Sequence, residues 1–280
     1  MKKKNLYGLF FILPSLIGVS IFVLIPFLDV IKRSFTSVMG TEFTGTDHYK
    51  EVLTNPAFQA AAKNTFYFTI ICIPMLLIFS LAIAVFLENN KKQKISFFKN
   101  IYLLPMAIPT ASIVLAWKYF FHVRGLFNGF LHMFGIKETD WMNTKYSFWI
   151  LIFTYLWKNI GYDIVLWIAG LSSIPKDIYE AARTDGAGEW QCFLYITLPN
   201  LLPSFFTITV LSLLNSFKVF REAYLIGGDY PDEHMYLLQH LFWNWFRDLS
   251  LDKLSAAAVF IFLIIFVLIM ILKKWMERDG

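Results

Sequence analysis

The polar side chains able to do chemistry in this sequence fall in two places. The first is a pair of stripes inside otherwise apolar stretches. Between residues 146 and 169, at 100° per residue, Tyr155, Asn159, Tyr162 and Asp163 share one face, with Lys158 at its edge. Between 201 and 219, Ser212, Asn215, Ser216 and Val219 share another, with Lys218 near the end. A lysine or aspartate deep in hydrocarbon costs about 2.5–3.5 kcal/mol on insertion scales, so such residues demand a bundle interior or a wet cavity. Amides, hydroxyls and phenols both donate and accept, which suits either interhelical hydrogen bonds or a polyhydroxylated solute. The second place is residues 174–203, the only long polar segment between two apolar stretches that itself reads as helical.

Neither place holds a catalytic constellation. There is no G-x-S-x-G turn, no H-E-x-x-H helix and no phosphate-binding loop: Gly40 to Thr46 has two glycines but no following lysine. His48, His122, His132, His234 and His240 are scattered without an i, i+4 pair, and Cys72 and Cys192 have neither metal-ligand spacing nor a framework of partners. An intramembrane enzyme is therefore disfavoured, no cofactor or metal is expected on this chain, and energy for any transport must come from elsewhere.

The elements that position these residues are apolar helices. With 57% hydrophobic and 16% charged residues in 280, the chain reads as an all-α polytopic membrane protein. Six spans are expected, at about 7–31, 64–88, 100–121, 146–169, 201–219 and 254–272, in a single domain over 1–280 with a loop at 170–200 between the fourth and fifth. The net charge of +5 comes from basic residues at span ends rather than from a long basic face, which argues for orientation and against nucleic acid. Lys2 to Lys4, the run Lys91-Lys92-Gln93-Lys94 with Lys99, and Lys273, Lys274 and Arg278 place both termini and the 170–200 loop on the cytoplasmic side. Residues 220–252 then form an outer loop. Pro105 and Pro109 lie where they can kink the third span.

Within the loop, Ser173 can cap a helix, Pro175 suits its first turn, and Asp177 and Glu180 sit at the positive end of its dipole. The helix should run to about Asp185. Gly186 and Gly188 offer permissive backbone for a turn, and a second helix over Glu189 to Thr197 should end with help from Pro199. The expectation is a helix-turn-helix elbow.

Glu180-Ala181-Ala182, three residues, Gly186, nine residues, Ile196, one residue and Leu198-Pro199 fill every position of the E-A-A-x3-G-x9-I-x-L-P signature. The sequence thereby resembles the permease subunits of bacterial ATP-binding-cassette importers, and Leu104-Pro105, Trp117, Gly125-Leu126-Phe127-Asn128, Gly227-Gly228 and Ser255-Ala256 resemble the sugar-importer branch. The resemblance implies an inner-membrane subunit that performs no chemistry. It implies pairing with a second related permease, with two ATPase subunits that bind ATP and Mg, and with an extracytoplasmic sugar-binding protein, in contact with membrane lipid. It assigns ATPase coupling to Glu180, Ala181, Ala182, Asp185, Gly186, Ile196, Leu198 and Pro199. Counted outward from the signature, it assigns substrate contacts to Tyr155, Asn159, Tyr162, Ser212, Asn215 and Ser216. Aromatic rings for sugar C–H faces and amides and hydroxyls for sugar hydroxyls fit a carbohydrate, and the family resemblance implies an oligosaccharide. A permease of the same fold for an amino acid, a polyamine or a phosphorylated polyol stays open, Lys158 and Lys218 keep an acidic sugar or sugar phosphate open, and a secondary transporter coupled through Lys158 and Asp163 would leave the signature unexplained.

Overall fold

The computed structural model describes residues 2–37, 42–89 and 95–279, with side chains over 10–37, 42–88 and 101–276. The basic run at 91–94 and Gly40 lie outside the described residues, as do the side chains of Lys2 to Lys4, Lys99 and Arg278. Helices follow one another as α1 (Lys2–Val19), α2 (Ile25–Arg33), α3 (Asp47–Thr54), α4 (Pro56–Asn89), α5 (Ile95–Ala107), α6 (Thr110–Phe120), α7 (Leu126–His132), α8 (Ser147–Ser172), α9 (Lys176–Thr184), α10 (Glu189–Cys192), α11 (Leu198–Asn200), α12 (Leu202–Ser216), α13 (Phe220–Gly227), α14 (Leu238–Arg247) and α15 (Leu251–Asp279).

Two short π-helical turns, Ser20–Leu24 and Phe193–Thr197, join α1 to α2 and α10 to α11. Each ends just before a proline, Pro26 and Pro199. A proline ring clashes with the carbonyl four residues back and has no N–H to offer it. Widening the turn relieves the clash: the N–H of Ile25 reaches Ser20 O and that of Leu198 reaches Phe193 O, five residues back in both.

Among the described residues four helical stretches are long and apolar enough to cross a membrane: Phe10–Arg33, Pro56–Glu88, Leu202–Gly227 and Leu251–Met276. The pair Ile101–Ala107 and Thr110–Phe120, bent by 96°, adds a fifth if its two halves are counted as one span. The expected boundaries shift in three places. The second span starts at Pro56 rather than 64, because Asn55 caps it by accepting the N–H groups of Ala57 and Phe58 through Oδ1. The third is broken at Ile108-Pro109, where proline ends regular helix bonding. The fifth continues past 219 through α13, so residues 220–227 are helix and not loop. Helix α8 has the length of a span, 26 residues, but its polar stripe leaves it short of the same apolar composition.

The chain divides into two compact units, Met1–Gln59 with Leu241–Leu268, and Ala60–His240 with Ile269–Gly280. In the first, α15 meets α2 through Phe262 on Phe27, with ring centroids 5.1 Å apart, and meets α3 through ion pairs Lys253–Glu51 at 2.6 Å and His48–Asp252 at 3.5 Å. Tyr49 donates to the buried Ser34 hydroxyl at 2.8 Å.

The second unit is built around α8. Phe68, Cys72 and Leu76 of α4, Val114 of α6 and Ile150, Leu151, Ile152 and Tyr155 of α8 form one buried cluster with Val219, Ala223 and Ile226. Two glycines let α8 approach its neighbours. A Cβ on Gly161 would lie 1.8 Å from Tyr102 O of α5, and one on Gly170 would lie 2.4 Å from Ser204 Oγ of α12. Trp167 Nε1–H donates to Ser80 Oγ of α4 at 2.9 Å, deep in the unit. The loop after α6 is organised by Asn128, which is buried: its Nδ2 donates to the carbonyls of His122, Val123 and Thr139, and its Oδ1 accepts from Trp141 Nε1 at 2.8 Å. That accounts for the asparagine of the Gly125-Leu126-Phe127-Asn128 segment.

Candidate functional site

The elbow forms as a helical hairpin, with local differences from its expected capping. Ser173 does not cap α9. Its hydroxyl donates back to Gly170 O at 2.7 Å and closes α8, while Pro175, in extended backbone at φ −60° and ψ 135°, stands one position before α9. Proline there has no donor to leave idle. Helix α9 ends at Thr184 in a Schellman turn: Gly186 N–H donates to Arg183 O at 3.1 Å and Ala187 N–H to Ala182 O at 2.9 Å. Such a turn puts its fifth position in the left-handed region, and Gly186 sits there at φ +88°. Gly188, at φ −76°, needs no glycine freedom; it precedes α10 and its N–H is received by Gln191 Oε1 at 2.8 Å. Pro199 does not end the second arm. It lies second in α11, after the widened turn, and the arm continues to Asn200.

The two arms are tied by side chains. Tyr179 and Thr197 share a hydrogen bond at 2.8 Å, and Arg183 meets Glu189 Oε1 through Nη2 at 2.9 Å. Both partners of that ion pair are exposed, so it contributes at most about 1 kcal/mol and serves to set register. Glu180, Ala181, Asp185, Gly186, Leu198 and Pro199 are exposed, and Ala182 and Ile196 half-buried. A cleft of about 580 Å³ opens between the hairpin, the end of α8 and the end of α4, with Glu180, Tyr179, Lys176 and Glu88 on its wall. On the other side of the turn, Ala182, Asp185, Gly186, Tyr195 and Ile196 line a shallower groove of about 370 Å³. Trp190 and Tyr195 are left 70% and 77% exposed, large rings on a surface with no covering element among the described residues. The signature positions are therefore gathered on one hairpin, most of them exposed.

The two polar stripes meet along the seam between α8 and α12. Tyr155 OH donates to Ser212 O at 3.1 Å and Ser212 Oγ donates to Asp163 Oδ2 at 2.9 Å, all three buried. Ser216 is buried and turns its hydroxyl back to Leu213 O at 2.7 Å. Asn159 donates to Tyr155 O at 2.8 Å, and Asn215 Oδ1 accepts from Lys218 Nζ at 3.1 Å; these two amides and Tyr162 keep part of their surface open. The stripe thus divides into a closed half that joins helices and an open half.

One group belongs to this region that the sequence reading leaves in a loop. Glu222 of α13, 9% exposed, receives Lys158 Nζ on Oε1 at 2.6 Å, and Thr110 at the start of α6 takes part through its hydroxyl, 2.8 Å from Lys158 Nζ and 3.2 Å from Glu222 Oε1. Lys158 is thereby ion-paired within the chain. The signal was present: Ser212, Asn215, Val219 and Glu222 continue one i, i+3, i+4 row.

The chain matches the family described as binding-protein-dependent transport system inner membrane component over residues 57–279. It is 32% identical to the probable ABC transporter permease protein YesP of Bacillus subtilis (strain 168), over 100% of this chain and 94% of that one. It is 27% identical to the trehalose/maltose transport system permease protein MalF of Thermococcus litoralis, over 97% and 95%. Its fold is similar to that of a solved chain from a bacterial ABC transporter involved in the import of the acidic polysaccharide alginate, with a TM-score of 0.82 at 23% identity, covering 99% of this chain and 96% of that one. With its signature folded as a hairpin on apolar helices, this chain belongs to the family of binding-protein-dependent transport system inner membrane components, the membrane permeases of ABC transporters.

Proposed function

We propose that this chain is the transmembrane permease subunit of an ATP-driven carbohydrate importer. The observation that carries the reading is the elbow: a narrow hairpin with Glu180 exposed beside a cleft and a tight turn whose left-handed position is the glycine Gly186. A hairpin of this kind can be gripped by a partner and can pass a displacement directly into α8 and α12, which enter and leave it. ATP and Mg would be held by two separate ATPase subunits seated on the elbow. A second related permease would complete the pathway, and an extracytoplasmic binding protein would deliver solute.

In this reading α8 is a span, bringing the number to six, and its polarity is tolerated because the stripe faces protein and a wet pathway rather than lipid. The whole chain acts as one permease domain, with both termini and the elbow cytoplasmic. Asn159, Tyr162 and Asn215 offer the substrate their open amide and phenol surfaces, while Tyr155, Ser212 and Ser216 form the wall behind them. A carbohydrate is the solute class because the similarity to a trehalose/maltose permease runs almost the full length of both chains and because this lining is made of hydrogen-bonding groups that donate and accept. The binding protein that co-purifies with the assembled complex tests the solute: after stripping, it should bind oligosaccharides in a calorimetric screen. Retention of amino acids or polyol phosphates, with no response to sugars, would refute the carbohydrate assignment.

A further inference from the structure

We infer that Lys158, Glu222 and Thr110 form a clamp that is closed in this conformation and parts once in each transport cycle. The inference rests on the importer reading above. Its basis is where the three residues sit along the chain. Lys158 lies on α8, which runs into the elbow, and Glu222 on α13, which follows α12 out of it. Thr110 begins α6 immediately after the 96° break, on a helix with no direct connection to the elbow. Displacement passed from the elbow into α8 and α12 therefore acts on two members of the triangle against the third.

The chemistry supports a switch over a fixed strut. All three pairwise contacts are hydrogen bonds, at 2.6, 2.8 and 3.2 Å, with the Thr110 hydroxyl donating to Glu222 and accepting from Lys158. The Lys158 and Glu222 side chains are 14% and 11% exposed. Apolar residues of similar volume usually hold helices as firmly as a buried ion pair does, whereas a pair made or broken as a unit gives two discrete registers. Beside the triangle Ala223 is fully enclosed and Ile113 and Val114 of α6 are buried one turn from Thr110, while two turns along α6 Trp117 packs edge-on against Phe153 and Trp157 of α8. Lys158 on this account is the counter-ion of Glu222 and is not available to an anionic substrate.

The test uses the whole complex with its permease and ATPase partners in proteoliposomes. Val114→Cys, one turn beyond Thr110, leaves the clamp intact, and its reaction with a small methanethiosulfonate reagent is timed without nucleotide and with Mg-ATP plus orthovanadate. The unsubstituted chain, with Cys72 and Cys192 buried, supplies the background. The clamp predicts a reaction rate that rises by roughly fivefold or more on trapping, the lower end of ordinary coupling between sites. With Glu222→Gln added the rate should be high in both states. Exchanging the charges, Lys158→Glu with Glu222→Lys, should restore the difference, which a merely space-filling role would not. Equal rates in the two states, in a complex that hydrolyses ATP normally, would overturn the clamp and leave the importer reading standing. A complex that neither retains ATPase subunits nor hydrolyses ATP would overturn both.

Discussion

Replacing Gly161 by alanine should disrupt the seam between α5 and α8. The added Cβ would stand 1.8 Å from Tyr102 O and 2.4 Å from its carbonyl carbon, where contacts under 3.0 Å are essentially never seen. Both obstacles are backbone, so no side chain can rotate away and the helices must separate by about 1 Å. Overpacking of this kind costs about 1–3 kcal/mol when side chains yield, and a backbone obstacle puts the change at the upper end, about 3 kcal/mol. For a chain of this size that lowers the melting temperature by roughly 6–12 °C. Gly170→Ala is the graded comparison, because its nearest obstacle is the rotatable Ser204 hydroxyl at 2.4 Å and the Ser204 Cβ behind it, at 2.9 Å, needs to yield only slightly, so the low end of the overpacking range, about 1 kcal/mol, is expected. Gly129→Ala is the control: it sits in α7 with nothing within 4 Å of the new atom, and helix propensity predicts a gain of about 0.5–1 kcal/mol. Thermal unfolding of the detergent-solubilised complex measures all three. Equal melting temperatures for Gly161→Ala and Gly129→Ala would refute the close approach of α5 and α8.

Gly186→Val should weaken ATPase capture by distorting the Schellman turn, since a β-branched residue at φ +88° is strained by roughly 1–3 kcal/mol, whereas Gly186→Asn, which tolerates that region, should retain most of it; pull-down of the ATPase measures both. Asn159→Leu and Asn215→Leu should impair uptake without loss of assembled complex, and normal uptake by both over a range of solute concentrations would remove the proposed pathway. Burial holds His240, which lies in α14 outside the membrane spans, neutral down to about pH 4, with its Nδ1 accepting from Leu237 N–H at 3.2 Å. Because its folded value lies below the ordinary one near 6.5, the unfolded chain binds the extra proton between these pH values. Stability should be full above about pH 6.5 and fall by up to about 3 kcal/mol on acidification to pH 4. His240→Gln should flatten that part of the pH profile in urea unfolding.

The elbow was legible because its determinants are local. Glycine at 186, the helix-forming run before it and the proline at 199 act within a few residues of themselves, and the structure alters only the capping details at Ser173, Pro175, Gly188 and Pro199. The π turns before Pro26 and Pro199 could have been suspected from the prolines, but sequence does not say whether a helix yields by widening, as there, or by breaking, as at Pro109. Glu222 was hidden for a different reason. Hydropathy counts the cost of a charge and is blind to a partner 64 residues away, so the row that continues from Ser212 to Glu222 was cut short at Val219. The roles of Gly161 and Gly170 are likewise invisible in one sequence, since what fixes them is the backbone or side chain of another helix.

In the importer we propose, the hairpin around Glu180 transmits ATP hydrolysis to solute movement. A desolvated ion pair that loses or reverses one partner costs several kcal/mol, whereas an exposed one costs at most about 1. The decisive measurement is therefore made on the Glu180→Lys complex in reconstituted vesicles, recording retention of the ATPase subunits together with ATP hydrolysis stimulated by the loaded binding protein. The permease should insert normally while retention or stimulation falls at least tenfold. Wild-type values of both would contradict this role of the hairpin.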